Sequence, residues 1–264
     1  MTTEGFGEPQ GGGPRTRDLV AYAQRLGDDA LVLAQRLGEW SSRAPELEED
    51  VALTNIGLDL LGQARALLSY AGEVEGAGRD EDDLAYLREE REFTNCLLVE
   101  QPNDDFGATI ARQLYFSTYQ LELYQALRGS ADQTLAAVAA KAAKEVAYHR
   151  DHATMWTLRL GDGTEESHAR MRDGLERLWP YAGELFEADE VVQRLAAAGT
   201  AADPASLRDG WDRHLDATLA EATLARPDGR WLPGTGRRGV HSEHMGYLLA
   251  ELQYLHRLHP GARW

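Results

Sequence analysis

Apolar residues recur every three or four positions through most of the chain, and no stretch alternates with the period of two that a half-buried strand requires. Leu19, Tyr22, Leu26, Ala30, Leu33, Leu37 and Trp40 share one face of a helix over about 16–42. Ala44-Pro45 ends it, because the residue before a proline leaves the helical region. A second helix over about 46–75 carries Leu53, Gly57, Leu60, Ala64 and Leu67 on its stripe, with Ala52, Ile56 and Tyr70 beside it. A glycine- and acid-rich break leads to a shorter helix over about 81–98, which stops near Gln101-Pro102. The third long helix, about 104–128, has Phe106, Ile110, Leu114, Leu121, Tyr124 and Leu127 on its stripe. The fourth, about 131–160, has Leu135, Val138, Ala142, Val146, Ala153, Trp156 and Leu160, and Gly161-Asp162-Gly163 closes it. Shorter helices follow near 164–178, 184–198, 204–225 and 241–258, and the loop RPDGRWLPGTGRRGV separates the last two.

Four long helices with short connections predict an all-α fold, a four-helix bundle with additional C-terminal helices packed on it as one domain over 15–264. Residues 1–14 (MTTEGFGEPQGGGP) read as a disordered tail. The chain of 264 residues is long enough to bury a sizeable core. With 27 Lys and Arg against 44 Asp and Glu, the formal charge is −17, which argues against nucleic acid as a partner. Cys96 is the single cysteine, so no intrachain disulfide and no cysteine-based metal site can form. No apolar run reaches the roughly 18 residues of a membrane span, and the first residues lack the pattern of a signal peptide. A cytoplasmic protein is expected.

A bundle of this size raises the question of two metals. Di-iron carboxylate bundles take a Glu from each of two helices and a Glu-x-x-His pair from each of the other two, all pointing inward. Among the 8 His, only His168 has a Glu three residues earlier (Glu165), and that pair lies in a polar helix start. The inward positions hold a weaker set. Asp29 lies near the stripe of the first helix and Asp59 to the side of the second, where Gly62 occupies the position three residues on. Gln113, Ser117 and Gln120 fall inside the stripe of the third. Glu145 and His149 flank that of the fourth, four apart, with Tyr148 at the ligand spacing. Amides and a hydroxyl replace several carboxylates, so these seven positions read as a degenerate site, a buried hydrogen-bond network without metal. Glu39 and Trp40, the loop arginines Arg237 and Arg238, and His241, Glu243 and His244 at the start of the last helix are candidate contacts with a partner chain. No P-loop, G-x-S-x-G or G-x-G-x-x-G motif occurs.

The segments RLGDDALVLAQRLGEW (25–40), APELEEDVALTNIGLDLLGQAR (44–65), LLVEQPNDDF (97–106), KEVAYHRDHA (144–153) and HSEHMGYLLAELQYL (241–255) are long and unusual in combination. On them the chain, from about Asp18 to its end, resembles the structural C subunits of the bacterial ring-1,2-phenylacetyl-CoA epoxidases, multicomponent oxygenases of phenylacetate degradation. The resemblance implies a ferritin-like fold and a noncatalytic role. It implies pairing with a homologous A subunit that carries the di-iron centre, assembly with a small B subunit, and a reductase E subunit with FAD, a 2Fe–2S cluster and NADPH. No cofactor is then expected on this chain, and no family iron ligand carries over to Gly62, Ser117 or Tyr148. The competing reading is a divergent ferritin-like di-metal oxygenase active in its own right through Asp29, Asp59, Glu145 and His149.

Overall fold

The computed structural model describes residues 13–262, and the expected tail lies outside the described residues up to position 12. Pro14, assigned to that tail by its sequence, is already the first residue of a helix, where its fixed φ and missing N–H are tolerated. All regular structure among the described residues is helical. The long helices are α1 (Pro14–Gly38), α2 (Leu47–Glu75), α5 (Phe106–Leu127) and α6 (Gln133–Gly161), and α3 (Glu81–Tyr86) and α4 (Leu97–Glu100) lie between the two pairs. The C-terminal part holds α7 (Glu165–Leu178), α8 (Glu190–Ala197), α9 (Pro204–Glu221) and α10 (Glu243–Leu258). Helix α1 packs along α2, α5 along α6, and α2 closes on α6, giving the ferritin-like four-helix bundle.

Side-chain caps set several of the starts. Asp105 accepts from the Ala108 N–H at 2.8 Å, Asp132 from Leu135 at 2.9 Å and Asp189 from Val192 at 3.0 Å. Asp80 and Asp83 form a reciprocal capping box at α3. Helix α5 differs from its expected single stripe. It is buried without interruption from Gly107 to Leu121, because α6, α7 and α9 surround it. A helix covered on every side needs no polar face. Gly174 of α7 permits a close approach to α5, since a Cβ there would stand 2.8 Å from the Ala108 Cα.

The helix expected over 81–98 does not form as one piece. Its path bends around α1. Asp28 and Asp29, both buried, are adjacent on α1. The Arg88 guanidinium makes a two-pronged ion pair with Asp28, and Thr94 gives its N–H to Asp28 Oδ2 at 2.8 Å. The Cys96 N–H reaches Asp29 Oδ1 at 2.7 Å. These bonds hold the strap 88–96 against the bundle in a mostly extended course. Helical continuation would turn those N–H groups back on their own chain. The loop 226–240 crosses above the strap. Gly236 and Gly239 allow this crossing, since a Cβ at either would collide with the backbone oxygen of Asn95 at 2.2 Å or of Arg91 at 2.1 Å.

The helix expected to begin near 184 starts instead at Glu190. A 3₁₀ segment, Trp179–Phe186, precedes it, because the buried Glu184 carboxylate accepts from the N–H groups of Leu97 at 2.7 Å and Arg237 at 3.2 Å. Trp211, fully buried, stacks with Trp179 at 6.0 Å and meets Phe186 edge-on at 5.2 Å, which seals this end.

Removing one member of a buried ion pair leaves the other charge stranded, at a cost of about 3–5 kcal/mol. Asp28→Ala should lower the unfolding free energy by about that much in a urea titration. A loss under about 1 kcal/mol would show that Arg88 does not depend on Asp28.

Candidate functional site

The polar positions expected to converge at the bundle centre divide into two groups. The first is a set of hydrogen bonds that link α2 to α5 and α6. Asp59 of α2 meets His149 Nε2 of α6 at 3.0 Å. One turn along both helices, Gln63 donates its amide to Glu145 Oε2 at 3.0 Å. The Gln63 oxygen accepts from Gln120 Nε2 at 3.2 Å and from the Tyr124 hydroxyl at 3.3 Å, both on α5. Lys141 Nζ lies 3.4 Å from the other Glu145 oxygen. Burial pushes His149 below its ordinary value although Asp59 pulls the other way, so the imidazole is neutral near pH 7. Ser117 turns its hydroxyl back on the Gln113 carbonyl at 2.5 Å and takes no part in this set. The side-chain oxygens of Gln113 and Gln120 are buried without a partner.

The second group is built on Asp29, which departs from the expected cluster. Arg237 closes on it with two bonds, Nη1 to Oδ1 at 3.0 Å and Nη2 to Oδ2 at 2.7 Å. Burial opposes the Arg237 charge, but Asp29 outweighs it and holds the guanidinium well above its ordinary value. Arg237 also donates to the carbonyls of Thr94 at 3.0 Å and Arg25 at 3.4 Å. It is therefore not a free loop arginine offered to a partner: the loop carries it inward. Arg238, next to it, stays exposed.

His241 is corrected in the same sense. Its side chain and that of Glu100 are both 0% exposed, so neither meets a partner surface. His241 Nδ1 lies 2.7 Å from Glu100 Oε2 and Nε2 lies 2.9 Å from the Phe93 carbonyl. Both ring nitrogens face acceptors, so both carry hydrogen and the ring is an imidazolium. Burial works against that charge, and the hydrogen bond and charge of Glu100 more than compensate, raising the His241 pKa. Glu100 also accepts from the Ser242 N–H at 2.6 Å, fixing the start of α10. Glu39 pairs with Arg36 at 2.7 Å, and Trp40 donates to Thr109 Oγ1 at 3.0 Å and meets Phe106 edge-on at 5.9 Å. Trp40 thereby braces the end of α1 against α5, and Glu39 also accepts from the Asn103 amide at 3.0 Å. Glu243 is exposed and His244 half-buried.

The outer face of α2 is also rearranged. Ile56, which the sequence places beside the main stripe, is buried in the core, and Ala52 and Tyr70 are half-buried. The exposed apolar residues are Leu47, Val51, Leu58 and Leu61, which with Thr54 alternate at spacings of four and three. Tyr148 of α6 is exposed as well.

A di-iron centre does not fit these donors. The network joining the helices offers amides and a phenol where carboxylates would be needed. Its acids are shared with His149, Gln63 and Lys141, and Asp29 is neutralised by Arg237. Among the described residues, no three His, Cys, Asp or Glu converge so as to hold a metal ion. Sequence reasoning missed Gln63 and Tyr124. Their signal was helical spacing, since Gln63 lies four residues after Asp59 and Tyr124 four after Gln120.

The raised His241 value has a sign that can be tested. Its contribution to stability is full below the ordinary histidine value of about 6.5 and disappears as pH rises through the higher folded value. The stability difference between the protein and His241→Gln should be largest below about pH 6.5 and shrink above it, read by urea titrations across pH. A difference that grows with pH would contradict the imidazolium assignment.

The profile of the phenylacetic acid catabolic protein family matches residues 9–264. The chain is 51% identical over 246 residues to the C subunit of the 1,2-phenylacetyl-CoA epoxidase of Escherichia coli strain K12, a match that covers 93% of this chain and 99% of that protein. The segments that carry the sequence resemblance fall on α1, the first part of α2, α4 and the turn into α5, the middle of α6 and α10. This chain belongs to the phenylacetic acid catabolic protein family.

Proposed function

We propose that the chain is a noncatalytic structural subunit of a multicomponent oxygenase that epoxidises the aromatic ring of phenylacetyl-CoA in aerobic phenylacetate catabolism. The observation that carries this reading is the Gln63–Gln120–Tyr124–Glu145 network. It ties α2, α5 and α6 together through amides and a phenol, groups that bind iron poorly. The relative's name, which makes it the C subunit of an epoxidase, supports membership of an assembly. In this reading the di-iron centre belongs to a homologous A subunit. FAD, the 2Fe–2S cluster and NADPH belong to a reductase E subunit, and a small B subunit also joins the assembly in the cytoplasm. Among the described residues, no helix is long and apolar enough to cross a membrane.

The scaffold role rests on packing. Leu47 is 76% and Leu58 59% exposed on the outer face of α2. Four aliphatic side chains at the four–three spacing of a helix–helix seam favour burial against another helix. A partner bundle docked there would be held along the length of α2, which itself is fixed to α1 and α6. The rigidity of this chain would then be passed to helices that carry iron ligands in the partner.

Coexpression with the A subunit tests both parts. Leu58→Glu combined with Leu61→Glu places two charges on the seam and should abolish co-purification while the chain alone keeps its helical circular dichroism. Epoxidation of phenylacetyl-CoA should require this chain and fall at least about tenfold with the double variant. An A subunit that stays soluble, retains iron and turns over normally without this chain would refute the scaffold role.

A further inference from the structure

A groove of about 270 Å³ runs between α2 and α10. Helix α1 packs on both and supplies its floor through Leu31 and Ala34. Leu58 and Leu61 of α2 line one side, and Tyr86 of α3 and Leu252 of α10 line the other. That second wall is held in place. The Tyr86 ring stacks on His256 at 4.7 Å, and the Gln253 amide donates to the carbonyls of Ala85 at 3.1 Å and Arg88 at 2.9 Å. Of the twelve large hydrophobic side chains exposed among the described residues, nine lie on the two helices that bank this groove or beside them. Four form the α2 seam, Tyr247, Tyr254, Leu255 and Leu258 are on α10, and Leu87 stands by the end of α10. By helical spacing the four α10 residues continue around one side of that helix from Leu252. Apolar surface gathered in this way marks a place that another chain covers.

Gly57 shows that the groove is not filled from within. It lies in the interior of α2, where glycine forms helix less well than alanine. Packing inside the chain does not require it, since a Cβ there would stand 3.7 Å from both the Ala34 carbonyl oxygen and the Leu37 Cβ, an ordinary contact. The missing side chain leaves a hollow in the groove lining. The charges on the two banks differ in commitment. Arg65 is held by Glu81 at 3.0 Å and Arg257 by Glu89 at 3.1 Å. Glu48 of α2 and Glu251 of α10 are exposed and enter no ion pair among the described residues. The uncommitted charge on these helices is therefore negative, and a complementary partner brings positive charge to the edges.

We propose that the groove receives one amphipathic helix of the A subunit, with a leucine- or phenylalanine-sized side chain set in the hollow at Gly57 and lysine or arginine along its edges. This rests on the reading of the chain as an oxygenase subunit, and it adds α10 to a docking face argued above on α2 alone. The distance from Leu47 to Leu61 along α2 is about 21 Å, the length of about four helical turns. Apolar anchors at every third or fourth position of the incoming helix meet the α2 seam on one side and Leu252 and Leu255 on the other.

The coexpressed complex with the full-length A subunit tests the proposal, its apparent Kd read by fluorescence-detected sedimentation across a dilution series. Gly57→Phe fills the hollow and should raise the Kd at least about thirtyfold. Leu255→Glu, at an exposed α10 position outside the α2 seam, should do the same, and it decides the matter if Gly57→Phe fails to fold. Glu48→Lys combined with Glu251→Lys should weaken the complex about tenfold. A Kd left unchanged by Leu255→Glu or by folded Gly57→Phe, while Leu58→Glu with Leu61→Glu still separates the subunits, would overturn the groove and leave the scaffold reading standing. A charge-reversed double variant that binds as tightly as the parent would overturn the basic helix. Self-association of the chain alone that Leu255→Glu abolishes would make the occupant a second copy and overturn the proposal as well. Absence of any complex with the parent chain would overturn both readings.

Discussion

Two adjacent aspartates on one helix organise most of what surrounds the bundle. Asp28 and Asp29 sit on α1 where water cannot reach them, and an unpaired carboxylate at that depth is strongly disfavoured. Each therefore acquires a cation and a backbone donor: Arg88 and the Thr94 N–H for Asp28, Arg237 and the Cys96 N–H for Asp29. Those four partners come from two distant segments, the strap after α3 and the loop before α10. Satisfying the pair thus closes the C-terminal half of the chain onto the N-terminal half. Glu100 repeats the device nearby with His241 and the Ser242 N–H. Each acid compensates its own burial by fixing backbone that has no regular secondary structure of its own.

This use of acids bears directly on chemistry. A carboxylate that binds metal must keep its lone pairs directed at a common point shared with other anionic ligands. Asp29 directs both oxygens at a guanidinium, and Glu145 directs one at Gln63. The interior charges balance locally and need no external cation. A ferritin-like bundle with this interior is suited to holding its own helices rigidly and to presenting the apolar outer face of α2. That division, a neutral interior and an apolar exterior seam, supports a structural rather than a catalytic reading of the chain.

The long helices were legible because their burial is one-sided or complete, and either condition leaves a helical period or a continuous apolar run in the sequence. Helix α2 was placed to within a residue, and α5 and α6 to within two. The segment 81–98 was not, because its local pattern is helical and the decisive interactions are long-range. Arg88 meets a carboxylate sixty residues earlier in the chain, which no window on the segment contains. Arg237 and His241 were misread for a related reason. A basic residue in a glycine-rich loop carries no local mark of burial, and the loop's path inward depends on close backbone contact at Gly236 and Gly239. In the bundle interior, Asp59 pairs with His149, and one turn on Gln63 joins Glu145, Gln120 and Tyr124. Asp29 shares a similar helical position but not their company, because the choice of partner depends on the loop and not on the helix.

The central claim is that the interior of this chain, built on amides, a phenol and carboxylates already paired with other side chains, does not retain a pair of irons. Quantifying iron in the chain purified alone, after anaerobic loading with ferrous iron and removal of unbound metal, tests it most directly. The account predicts far less than one iron per chain and no Mössbauer signature of a coupled pair. About two irons per chain, lost on replacing Glu145 and His149, would contradict it.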